Sequence, residues 1–274
     1  MATIESMVSS DNPVNRAFSK QSLAYDSDDQ VNRVLQDMRQ QVYRHVAFFM
    51  KKGSEILELN SGTGIDALHF VHQGHRVCAT DLSDGMVAQI EKKIHDHQLK
   101  DRLTCRQLSY DQLHQLNGHK FDYLFSNFGG LNCIDDLSKV TMNLPTLLNP
   151  GSFVTWVIMP PVCPWELLWI FKGHGKQAFR RFHKAGVMAH LEGEYFKTFY
   201  HSLAQIKEAF GSQFKFMKSE GLCALSPPPS RGDFPIKHPW LYHSLQTMDS
   251  LVRINFPFNR WADHIIVTFQ YTKA

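Results

Sequence analysis

The feature that most restricts what this chain can become is a short run, Glu58-Leu-Asn-Ser-Gly-Thr-Gly64, set between two different hydrophobic periodicities. Before it, Ser54-Glu-Ile-Leu-Glu-Leu-Asn60 reads as a short strand; after it, residues 65–73 resume helical spacing. Closely spaced glycines between a strand and a helix let the backbone approach a ligand. The first turn of the helix then offers unpaired N–H groups to that ligand. A second unit follows, with Arg76-Val-Cys-Ala-Thr-Asp81 as strand, residues 84–97 as helix and Ser83 placed to cap it.

The alternation continues with strands at 103–108 and 121–127, a helix at 137–148, the turn Asn149-Pro-Gly151 and a strand at 152–159. Upstream, residues 29–49 carry Val31, Val34, Leu35, Met38, Val42 and Val46 at helical spacing, and Gly53 ends that helix. Downstream, Ser202-Leu-Ala-Gln205 has the pattern of a capping box and Gly211 is placed to end its helix. The last run, His264-Ile-Ile-Val-Thr-Phe-Gln-Tyr271, reads as a strand with 214–225 as its partner. Strands alternating with helices predict an α/β fold, a Rossmann-like doubly wound, mostly parallel sheet with a C-terminal antiparallel strand. Residues 160–201 and 226–262, rich in aromatics and prolines, break the alternation and read as insertions, the first of them a helical cap.

Composition narrows the function classes. The excess of 29 Lys and Arg over 26 Asp and Glu is too small for an electrostatic footprint on nucleic acid. Cys78, Cys105, Cys133, Cys163 and Cys223 are odd in number and lack a C-x-x-C pair, which suits free thiols in a reducing compartment. The first residues, MATIESMVSSDNPVNRAF, do not pattern as a secretory signal, so a cytoplasmic location is expected. Residues 152–171 are apolar enough to raise the question of a membrane span. Pro160, Pro161, Pro164 and Glu166 argue against stable insertion, because prolines this dense strand backbone groups in lipid. The 15 histidines show no metal-ligand spacing, and no metal is expected.

Taken alone, Gly62-x-Gly64-x-x-Ala67 also satisfies a dinucleotide fingerprint, with Asp81 as its acid. The surrounding blocks resemble class I S-adenosylmethionine-dependent methyltransferases of the small-molecule type. Glu58-Leu-Asn-Ser-Gly-Thr-Gly64 is similar to that family's acidic-x-Gly-x-Gly-x-Gly motif, with an acid on the strand where dinucleotide folds usually carry an apolar residue. Ala79-Thr-Asp-Leu-Ser-Asp-Gly-Met86 resembles the end of strand two. There the family sets an acid on the ribose hydroxyls and apolar residues against adenine. Phe121-Asp-Tyr-Leu-Phe-Ser-Asn-Phe-Gly129 resembles the strand-four block at the methionine end, and Leu147-Leu-Asn-Pro-Gly-Ser-Phe153 the turn before strand five. Phe18-Ser-Lys-Gln-Ser-Leu-Ala-Tyr-Asp26 looks like the family's lid, whose tyrosine closes over the cofactor.

The resemblance implies S-adenosylmethionine as cofactor and a cofactor set of Tyr25, Glu58, Asn60, Ser61, Gly62, Gly64, Asp81, Leu82, Met86, Ser109, Tyr110, Asn127 and Phe128. Two departures stand out. Asn60 occupies the first glycine position, which an Asn tolerates when φ is positive. Gln107-Leu-Ser-Tyr110 lacks the acid often found after strand three, leaving Ser109, Tyr110 or a backbone group to face adenine.

A single domain over 1–274 is expected: lid and helix at 1–40, cofactor-binding core at 41–159, cap at 160–201, and the rest of the core at 202–274 with a second insertion at 226–262. Aromatics in the cap suggest a small apolar or aromatic acceptor, with Trp169, Tyr195 and Tyr200 as candidate substrate-binding residues. The interleaved Lys172, His174, Lys176, Arg180, Arg181, His183 and Lys184 suit a carboxylate, a phosphate or a membrane surface. Methyl transfer from a sulfonium is mainly a matter of positioning, so no fixed catalytic motif is expected; His190, His201 and Tyr200 are candidate bases. Two other readings remain open here: an NAD-dependent oxidoreductase, which would need a Tyr-x-x-x-Lys or an equivalent relay, and a non-catalytic cofactor-binding partner protein.

Overall fold

The computed structural model describes residues 11–272; the reading of residues 1–10 as lacking a signal lies outside them. Three helices lead in: α1 (Pro13–Gln21), α2 (Tyr25–Val31) and α3 (Arg33–Phe49). There follow β1 (Glu55–Leu59), α4 (Ile65–His72), β2 (Arg76–Asp81), α5 (Asp84–Asp96), β3 (Leu103–Gln107), β4 (Phe121–Ser126) and β5 (Leu148–Ile158). A hairpin of β6 (Val187–Leu191) and β7 (Glu194–Thr198) stands apart from the main sheet. The chain closes with α6 (Leu203–Phe210), β8 (Phe214–Leu222), α7 (Pro239–Val252) and β9 (His264–Tyr271).

The main sheet has the order β3-β2-β1-β4-β5-β9-β8. From β3 to β5 every pairing is parallel, and β9 runs antiparallel to both β5 and β8. Side chains alternate between two cores, as the two-residue period of a strand requires. Leu57, Leu124, Val154, Trp156 and Val267 face one; Ile56, Tyr123, Phe125, Val157 and Ile266 face the other. Both faces are therefore apolar and both are covered, the condition under which a parallel sheet is stable.

Three local expectations change. The helix at 29–49 is interrupted at Asn32, whose side chain accepts the Leu35 amide at 3.3 Å and starts α3 afresh. The helix at 137–148 is two single turns, Ser138–Thr141 and Leu144–Leu147, because Pro145 has no N–H with which to continue the first. The cap is helical only in its first half; residues 187–198 form the β6–β7 hairpin. The strand pairing of β8 with β9 and the capping box at Ser202 are as the sequence indicates.

Candidate functional site

The strand order reverses at β1, whose neighbours β2 and β4 lead in opposite directions, and a crevice opens beyond the carboxyl ends of such strands. A cavity of about 270 Å³ lies there. Tyr25, Asn60, Ser61, Gly62, Asp81, Leu82, Met86, Ser109, Tyr110, Asn127 and Phe128 all line it. Glu58 and Gly64 stand behind the lining, Glu58 buried on β1 and Gly64 left-handed (φ +82°) at the start of α4.

Each wall follows from local chemistry. Asn60 has φ +46°, and its side chain ties three segments together. Its amide donates to the Asn127 carbonyl at 2.9 Å, and its Oδ1 accepts from Ser126 at 2.6 Å and Tyr110 at 3.1 Å. Gly130 packs so tightly here that a Cβ on it would overlap the Asn60 side chain. The Ser61 hydroxyl accepts the Thr80 amide at 3.1 Å, holding the turn to β2.

The lid is docked rather than free. Asp26 accepts from Thr63 at 2.5 Å and pairs with Lys93 at 2.6 Å, which sets Tyr25 beside Gly62. On α1, Ser19 lies against Gly85, where a Cβ would come 2.6 Å from its Cα. Val14 and Phe18 thereby reach the cavity, opposite Phe196 and Thr198 of β7. Arg16 and Lys20 close the roof on Glu194 at 2.9 and 2.8 Å.

Buried charge lies beside this turn. Arg39 pairs with Asp66 and, at 2.7 Å, with Asp29, while its guanidinium sits 4.8 Å over Phe128. Asp66 also accepts from Tyr43 at 2.6 Å and Asn127 at 2.9 Å. Burial alone would raise Asp66, but Arg39 and these donors draw it below the usual carboxylate range. Burial, with Asp66 close by, pushes Glu58 well up, and its Oε2 has no hydrogen-bond partner. Arg39 and Asp66 line the cavity and were not picked out from the sequence. The α3 pattern announced only its apolar stripe, and a lone acid after Gly64 carries no motif.

The cap aromatics lie elsewhere. Along β7, Phe196 and Thr198 point inward, so the alternation sends Tyr195 outward, 62% exposed and stacked on His190. Tyr200 follows the strand and lies under the Arg181 guanidinium at 5.1 Å. Trp169 sits in a separate cleft of about 150 Å³ between Lys172 and Arg231. Of the candidate bases, His201 is committed to the Ile134 carbonyl at 2.9 Å and His190 is on the exposed hairpin.

A different histidine stands near the cavity. The His264 Nδ1 lies 2.8 Å from Asp263, whose other oxygen accepts from buried Arg181 at 2.8 Å. The His264 Nε2 comes within 3.4 Å of where a Cβ on cavity-lining Gly129 would sit, beside Met159. Burial alone would raise Asp263, but His264 and Arg181 hold it far below the usual range. Cys163, Glu166 and Asp263 converge closely enough to ligate a cation, but the Arg181 guanidinium already bonds both carboxylates.

Comparison with known proteins agrees with this geometry. A family model described as a methyltransferase domain matches residues 56–151, the segment from β1 to the turn within β5. No curated protein sequence matches the chain. Among solved structures, 1,6-didemethyltoxoflavin-N1-methyltransferase of Burkholderia thailandensis, with bound 1,6-didemethyltoxoflavin and S-adenosylhomocysteine, is 15% identical with TM-score 0.57. The match covers 95% of this chain and 88% of that one. The CcbJ methyltransferase of Streptomyces caelestis gives 12% identity and TM-score 0.59 over 94% and 98% of the two chains. The [4+2]-cyclase SpnF gives 11% and 0.63 over 95% and 96%, so the fold by itself does not dictate the reaction. The chain thus carries a methyltransferase domain over residues 56–151, set within a Rossmann-like fold shared with these neighbours.

Proposed function

We propose that the cavity over β1, β2 and β4 holds S-adenosylmethionine and that the acceptor is a small apolar or aromatic molecule carrying an ionisable proton. The observation that supports this most directly is Asp81, a carboxylate at the tip of β2 that faces the cavity among apolar neighbours Leu82, Met86 and Leu108. An acid fixed there accepts from the ribose hydroxyls while the apolar residues and Tyr110 flank the adenine. Asn60 to Gly62 and Asn127 to Phe128 then border the methionine part. When bound, the cofactor supplies a methyl group already activated on a sulfonium; the chain's task is alignment and exclusion of water.

The acceptor end is walled by Phe18, Phe128, Met159 and Phe196, which favours an apolar or aromatic body. His264, oriented by Asp263, is the imidazole on that side, reached past the Met159 side chain, and takes the role of base for an O–H or N–H acceptor. The cap divides in two. Its first half is anchored through buried Arg181, and its hairpin is held to α1 by exposed pairs, so the hairpin is the part that lifts to admit an acceptor.

Calorimetry with S-adenosylmethionine, S-adenosylhomocysteine and NAD tests the cofactor assignment. The first two bind and NAD does not; Asp81→Ala weakens both. Equal binding of NAD, or affinity indifferent to Asp81, overturns it. Transfer of radiolabelled methyl to a panel of phenols, aryl hydroxyls and heteroaromatic N–H compounds then sorts acceptors.

A further inference from the structure

We propose that the outer face formed where the two insertions meet is a docking surface for an anionic phospholipid bilayer. The turns at Pro164–Leu167 and Leu168–Lys172 pack against the second insertion. The Trp165 ring meets Phe234 edge-on at 5.8 Å, its Nε1 donates to the Leu225 carbonyl at 2.8 Å, and Lys172 and Arg231 flank Trp169. The two insertions that meet here expose large apolar side chains to solvent: Phe171 is 85% exposed, Ile236 79% and Trp240 89%, with Phe179 and Phe182 about half exposed. An aromatic so exposed loses contact energy unless something covers it, and patches of this kind mark interaction sites.

Charge selects the occupant. From Leu167 to Leu191 the sequence has no Asp or Glu, yet it holds Lys172, Lys176, Arg180, Arg181 and Lys184 as well as three histidines. Glu166 and Asp263 together neutralise Arg180 and Arg181. Lys172, Lys176, Lys184 and Arg231 make no ion pair among the described residues. Asp233 is the nearby acid on the second insertion, and Lys237 pairs with it at 2.7 Å. A second copy of the chain, docked through the same patch by a two-fold axis, would set these cations against themselves. Cations around protruding Phe and Trp side chains instead match a bilayer surface, where aromatic rings sit at headgroup depth and lysines meet anionic lipid. Among the described residues no helix is long and apolar enough to cross a membrane, so the contact is adsorption to the surface. Such docking would let the enzyme draw an apolar acceptor from the bilayer; the docking itself does not depend on which acceptor is used.

The test is co-sedimentation of the full chain with vesicles of phosphatidylcholine alone and of phosphatidylcholine mixed with phosphatidylglycerol, at low and high salt. Partition into the anionic vesicles is expected to exceed that into neutral ones by at least about ten-fold and to fall at high salt. Phe171→Ser with Trp240→Ser, and separately Lys172→Glu with Lys176→Glu and Lys184→Glu, are each expected to lower it by roughly ten-fold or more. Their affinity for S-adenosylhomocysteine should stay unchanged, which shows that they fold. Equal partition into both vesicles, or partition unmoved by either set, overturns the proposal. So does a dimer in sedimentation velocity that Trp240→Ser dissolves without any vesicle binding, or capture of free glycerophosphate in place of vesicles.

Discussion

The Gly62 amide donates a 2.8 Å hydrogen bond to Oδ2 of Asp81, joining the turn after β1 to the tip of β2. The Ser83 amide donates to the other oxygen at 2.9 Å, so one side chain sets both the glycine-rich turn and the start of α5. Removing it with Asp81→Ala is expected to weaken S-adenosylhomocysteine by roughly 10–150-fold, the worth of charge-assisted bonds to a ribose diol. Isothermal titration reads the change, and an unaltered dissociation constant rejects the ribose role.

Burial pushes Asp81 up to about 6, against the pull of the Ser83, Gly62 and Leu82 amides. The folded value lies above the unfolded one, so this group's stabilising contribution is complete below the unfolded value and is lost as pH rises through about 6. Cofactor binding has the opposite sign, because ribose hydroxyls donate to the ionised form. The dissociation constant of S-adenosylhomocysteine should therefore rise as pH falls below about 6. Asp81→Asn should flatten that rise; a slope that persists in the variant assigns it to another group.

Asn60→Gly relieves no strain that matters, since Asn accepts φ +46°, but it deletes the bonds to Asn127, Ser126 and Tyr110. It should cost about 1–3 kcal/mol in urea unfolding. Asn60→Val should cost about 1–2 kcal/mol more, through a β-branched side chain in the left-handed region. Valine tolerated as well as glycine would contradict this.

Arg39→Leu leaves Asp29 and Asp66 buried without their cation and should destabilise the empty protein by about 3–5 kcal/mol. Asp66, held below its ordinary value, gives stability that is present above the unfolded carboxylate value and lost as pH falls through the folded one. The variant should accordingly lose much of the wild-type acid sensitivity. Denaturant melts at neutral and acidic pH measure both effects.

Glu194 holds Arg16 and Lys20 at the protein surface, where such pairs add little to global stability. Glu194→Gln should leave the thermal midpoint nearly unmoved while raising the dissociation rate of S-adenosylhomocysteine several-fold and hydrogen exchange in β6 and β7. Protection there equal to that of the main sheet, in wild type and variant alike, would show that the hairpin does not lift.

His264→Gln should keep S-adenosylhomocysteine affinity within a few-fold and lower turnover on an O–H or N–H acceptor by about 10²–10⁴-fold. Turnover unchanged in the variant would remove His264 from the reaction while leaving the cofactor assignment intact.

The alternation of two-residue and helical periods, the glycines after β1 and the acid ending β2 are local properties, and they were enough to indicate the sheet, its direction and a set of residues that gather along one cavity. Asn60 in place of glycine was readable too, because a positive φ is a constraint one residue long. The position of the cap aromatics was not. Trp169, Tyr195 and Tyr200 have the right chemistry for a pocket, but hairpin parity turns Tyr195 outward and packing on Arg181 and Arg231 claims the other two rings. Arg39 with Asp66, and Asp263 with Arg181, are pairs distant in sequence whose meaning arises only when helix and sheet bury them together. Backbone preference and hydrophobic period act within a few residues of themselves, so the sequence specified the scaffold. Charge pairing and cavity shape depend on which surfaces meet, and the tertiary structure decided those.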